Sequence, residues 1–118
     1  MLPGIKNLTL YRGDTRVIPI VFETQVDEVT TAPVNLTGLT WKAQVREEHD
    51  ASSVAANFTI EVVDAAAGSI EVIMESSEAK KLPPTGVWDL ESLSGDGFRQ
   101  TWVYGNIITL PDTTRTVE

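Results

Sequence analysis

No cysteine occurs anywhere in the chain, which excludes a disulfide framework and a thiolate metal centre and leaves the core to be stabilised by packing alone. Histidine is nearly as scarce. The single one, His49, stands in the polar run Glu47-Glu48-His49-Asp50, and without nitrogen or sulfur companions it makes no zinc site. No serine lies in a Gly-x-Ser-x-Gly setting, so neither a Ser/His/Asp triad nor a Cys/His pair can be assembled, and the chain reads as a non-enzyme. Basic residues are few as well, nine Lys and Arg against 17 Asp and Glu for a net charge of -8. That balance opposes direct binding to nucleic acid, which needs clustered cations to release counterions. No apolar run reaches membrane-spanning length, and the stretch Met1 to Asn7 has no signal-peptide pattern, so neither a membrane nor export is expected and synthesis is placed in the cytoplasm.

What is present is a chain of 118 residues with 42% hydrophobic content, long enough for one core and read as a single domain over 1–118. A periodicity of two dominates. In Leu39 to Glu47 the apolar Trp41, Ala43 and Val45 alternate with polar residues, as a half-buried strand requires. Ile60–Asp64 and Ser69–Met74 read as strands around Ala65-Ala66-Ala67-Gly68, and Val87–Leu93 and Phe98–Tyr104 as strands around Ser94-Gly95-Asp96-Gly97, two hairpins with turn chemistry. Gly105 interrupts the last strand before Asn106–Leu110 and suggests a bulge and bend there, or a close backbone approach. Lys6–Tyr11 and Thr15–Glu23 are two further strands, and Pro19 puts the second at an edge or marks a bulge in it.

Thr24 to Gly38 lacks periodicity and reads as an exposed loop ending in the turn Asn35-Leu36-Thr37-Gly38. Ser76 to Leu82 is the one helical stretch, about two turns, capped by either serine and stopped by Pro83-Pro84. The tails Met1–Ile5 and Pro111–Glu118 are expected to add little to the core. About seven short strands with one short helix predict an all-β fold, an antiparallel immunoglobulin-like β-sandwich or, second, a small barrel.

Several motifs invite functional readings. Arg12-Gly13-Asp14 is an adhesion tripeptide, yet it falls between two nearby strands where Gly13 supplies turn geometry and Asp14 can bond its own backbone. Asn7-Leu8-Thr9, Asn35-Leu36-Thr37 and Asn57-Phe58-Thr59 match the glycosylation acceptor pattern, but nothing in the sequence brings them to that pathway. Trp41, Trp88 and Trp102 stand in alternating strands and read as core. Trp102, alternating with Tyr104, is the one candidate for sugar stacking or for an interface.

The succession Gly13-Asp14-Thr15, Val34-Asn35-Leu36-Thr37-Gly38 ahead of a Trp-containing strand, Gly68 before Ile70-Glu71-Val72, Gly86 to Glu91, and Gly105 before a closing strand with Thr113-Thr114-Arg115 resembles small β-sandwich modules of tailed bacteriophages. It is similar to the N-terminal domain of baseplate upper proteins and to tail-fibre or tail adaptor proteins. That resemblance implies a virion structural part that docks to other virion proteins, homo-oligomeric within a symmetric assembly, with no cofactor and no catalysis. Longer relatives continue into a helical stem and a receptor-binding end, whereas this sequence stops soon after its last strand, which favours an adaptor or a capsid decoration and cement role over host-glycan binding. The interface is expected at Trp102, Tyr104, Pro111, Thr113 and Arg115, with Gly13, Asp14, Gly38, Gly68, Asp96, Gly97 and Gly105 as structural turns.

Overall fold

A computed structural model describes residues 3–111. Ten strands and one helix follow in order: β1 Gly4–Ile5, β2 Leu8–Tyr11, β3 Arg16–Val21, β4 Glu23–Gln25, β5 Thr31–Pro33, β6 Thr40–Arg46, β7 Ala56–Asp64, β8 Ser69–Met74, α1 Ser76–Ala79, β9 Thr85–Leu93 and β10 Arg99–Leu110. Eight strands form one sheet in the order β1-β10-β9-β6-β7-β8-β3, with β2 also on β10, and β4 and β5 pair separately. The all-β class with one short helix stands. The strictly antiparallel arrangement does not: β1 and β2 both run parallel to β10, Gly4 beside Val103 and Leu8 beside Ile107.

The sheet curls because the chain joins its two ends. β2, beside β10 near one end of the strand order, and β3, at the other end, are consecutive in sequence and linked through residues 12–15. β7 serves both halves, pairing with β6 through Ala56 and Phe58 and with β8 from Thr59 onward. Alternation decides what faces inward: Trp88, Leu90 and Ser92 on β9, Ala43 and Val45 on β6, and Ile70, Val72 and Met74 on β8 are buried while their neighbours are not. Each large apolar side chain so buried contributes roughly 1.5–3 kcal/mol, which favours the curled sheet.

Both expected hairpins form. Gly68 and Gly97 adopt φ values of 73° and 88°, and Asp96 accepts a hydrogen bond from the Ser94 hydroxyl. Pro19 sits on β3, which among the described residues pairs only with β8 and in unbroken register, so the edge reading holds and the bulge does not. Of the two readings of Gly105 the bulge and bend do not hold, since β10 runs unbroken through it and the register shift falls between Thr101 and Val103. The close backbone approach does hold, since a Cβ at Gly105 would run into the Lys6 carbonyl oxygen.

Three further expectations are corrected. Thr24 to Gly38 is not all loop, because β4 and β5 form a hairpin whose turn is bound by Asp27 Oδ1 accepting the N–H groups of Val29 and Thr30 at 2.9 and 2.8 Å. Asp27 hides this strand signal behind turn chemistry. The helix is one turn, preceded by Glu75 with no side-chain cap, since the Ser76 hydroxyl donates to the Gly13 carbonyl at 2.7 Å instead. At the N-terminus, Gly4 and Ile5 belong to the sheet and not to a ragged tail.

Candidate functional site

The Arg12-Gly13-Asp14 corner is a turn, closed by the Asp14 N–H on the Tyr11 carbonyl at 3.2 Å with Gly13 at φ 89°. It is not a β-hairpin, because β2 pairs with β10 and β3 with β8. Arg12 is engaged: its Nε and Nη2 donate to the Leu82 carbonyl at 3.4 and 3.3 Å. A receptor would find neither a projecting loop tip nor a free guanidinium. Asp14 accepts no hydrogen bond through its side chain among the described residues, so the expected self-bond is absent.

Trp102 is 8% exposed, and its indole N–H donates to the buried Ser92 hydroxyl at 2.8 Å. The register shift after Thr101 turns both Trp102 and Val103 inward, which plain alternation does not allow. Its ring packs 4.8 Å from Phe22 and 5.8 Å from Trp41. Trp102 is therefore core, as its alternating strand predicts, and its buried ring offers no open face for sugar stacking or for an interface. Tyr104 is 37% exposed on the outer face, beside Ile5 of β1, and Pro111 is exposed. Thr113 and Arg115 lie outside the described residues. Gly38, at φ 83°, closes the turn in which Asn35 Oδ1 accepts the Thr37 N–H at 3.0 Å.

The arrangement that sequence inspection missed lies on the outward face of β6, β9 and β10. Two adjoining depressions of about 200 and 420 Å³ share Lys42, Glu91 and Arg99. Register explains the convergence: Lys42 opposes Glu91, Gln44 opposes Asp89, and Arg46 opposes Val87. The larger depression continues toward Thr40 and Leu93, the smaller toward Arg46 and His49. Together they form a trough alongside β6, its larger end reaching the inward-side residues Trp41 and Ser92.

Charge in the trough is unevenly partnered. Arg99 Nη2 and Glu91 Oε1 form an ion pair at 2.9 Å. Arg46 is positioned by the Ala51 carbonyl at 2.9 Å and Gln44 Oε1 at 3.2 Å. Lys42 and Asp89 make no side-chain hydrogen bond or ion pair among the described residues. Asp89 is half-buried, and loss of water together with the neighbouring Glu91 carboxylate raises its pKa above the usual carboxylate value, against the pull of Arg46, His49 and Arg99. Single polar residues on alternating strands read as ordinary solvent-facing positions, which is why only the register reveals the cluster.

Among the described residues no group of three His, Cys, Asp or Glu is placed to hold a metal ion, and no helix is long and apolar enough to cross a membrane. No protein-family model matches the chain, and no curated protein matches it either.

Proposed function

We propose that this protein is a bacteriophage virion structural component, an adaptor associated with the tail, baseplate or fibre, which works as a sandwich-like module by docking to other virion proteins. The observation that carries the reading is Ile5, 68% exposed, lying beside exposed Tyr104 on a strand that pairs on one side only among the described residues. Ile108, 52% exposed, and Tyr11 extend this apolar character along the same edge. Apolar side chains next to unpaired backbone groups suit strand addition or a flat subunit contact. The β4–β5 hairpin adds a second contact, with Val29 93% exposed near its tip.

The glycine-centred motifs set out above support the phage assignment, and a symmetric assembly supplies the many weak contacts such a small edge needs. Mass spectrometry and cryo-EM of purified particles test it. Stoichiometric copies in symmetric density are expected, with Ile5→Asp reducing incorporation while the isolated protein keeps its melting curve. Particles that never contain the chain sink the proposal.

A further inference from the structure

We propose that the trough between β6, β9 and β10 binds an extended acidic peptide segment of a partner protein, with carboxylates on Lys42 and Arg46 and a backbone N–H on Asp89. This deepens the docking reading, and rests on it, by naming the chemistry of one partner. Local charge is the first argument. The chain carries -8 overall, yet Lys42, Arg46 and Arg99 converge here with His49, against two carboxylates of which Glu91 is already paired with Arg99. A patch of inverted sign in an acidic protein draws an anionic group.

Shape and pairing narrow the ligand to a peptide. Lys42 has no anion and Asp89 no donor among the described residues, so a ligand that offers acceptors alone leaves Asp89 unmatched. An extended peptide offers both, with side-chain carboxylates on one face and N–H groups along its length, at a strand spacing that matches Lys42, Gln44 and Arg46. A sugar chain would call for an aromatic face to stack on. Among the described residues Trp41 is the one Phe, Tyr or Trp lining the trough, and its ring is stacked on Phe22 with a 3° interplanar angle and tilted against Trp102.

The test is fluorescence anisotropy on the full chain with labelled hexaglutamate and hexaglutamine, at about 20 mM NaCl where screening is weak. Hexaglutamate is expected to bind and hexaglutamine to fail. Lys42→Ala should weaken binding about fivefold with an unchanged melting curve, and Asp89→Asn should tighten it about twofold without loss of stability. The opposite directions matter, since a merely structural role would move both variants the same way. Hexaglutamate binding no better than hexaglutamine, indifference to Lys42→Ala, or an oligogalacturonate hexamer binding as tightly would each overturn the assignment. If particles contain the chain and hexaglutamate does not bind, this inference falls and the docking reading stands.

Discussion

The indole N–H of Trp88 donates to the Lys6 carbonyl at 2.9 Å. Trp88 and Gly105 are cross-strand partners on β9 and β10, and the same Lys6 carbonyl lies over Gly105. One backbone oxygen thus ties the N-terminal strand to the core tryptophan, and it reaches that position only because residue 105 has no side chain. Asn7 completes the junction, its Oδ1 accepting the Asn106 N–H at 3.0 Å from the parallel neighbour.

Gly105→Ala is accordingly expected to displace Lys6 and release both the β1 pairing and the Trp88 bond, costing about 2–3 kcal/mol in urea denaturation. Gly105 has no positive φ, so the effect is steric. Gly95→Ala, where nothing lies within 4 Å of the added carbon, should stay within about 0.5 kcal/mol of the parent.

The two clustered tryptophans should respond differently to loss of the indole nitrogen. Trp102→Phe strands the buried Ser92 hydroxyl and is expected to cost about 1–3 kcal/mol beyond its packing loss. Trp41 Nε1 is buried without a partner among the described residues. Trp41→Phe removes that unmatched donor, so its net effect should be smaller, about 1 kcal/mol or less. Equal melting shifts for the two would refute the assignment.

Gly68 combines φ 73° with a backbone approach, a Cβ there lying 2.5 Å from the Phe22 carbonyl oxygen and 2.9 Å from that of Val34. Gly68→Ala should detach the segment carrying β4 and β5, since the Phe22 N–H bonds the Gly68 carbonyl at 2.8 Å. Hydrogen exchange would then accelerate at Phe22 and Val34 first, with Trp88 and Leu90 on β9 still protected. Uniform loss of protection would count against this local account.

The raised pKa of Asp89 gives a pH signature of definite sign. A carboxyl that holds its proton more tightly in the folded state destabilises the fold as pH rises from 3.8, its ordinary value, through the folded value. Asp89→Asn should therefore raise stability near neutral pH, with the gain vanishing once the carboxyl is protonated in both states. Glu78 runs the other way. The Lys81 ammonium and then the Asn57 N–H lower its pKa from 4.5, so its contribution is present above that value and lost as pH falls. Urea melts of Asp89→Asn and Glu78→Gln across the acidic range measure both, and a matching sign for the two would contradict the geometry.

What the amino-acid order alone determined is local. Strict alternation in Trp41 to Val45 and in Trp88 to Leu90 set which side chains are buried, because a pleated strand presents successive residues to opposite faces. Gly68 and the Asp96-Gly97 pair set two reversals, because their backbone conformations need no partner elsewhere in the chain. Tertiary structure decided the rest. The parallel seating of Leu8 on Ile107, the inward swing of Trp102 at the register shift, and the meeting of Lys42 with Asp89, Glu91 and Arg99 join segments far apart in the chain. No local pattern encodes such pairings, since their energy comes from burying the shared core and closing the curl, and a strand's own periodicity is the same whichever neighbour it finds.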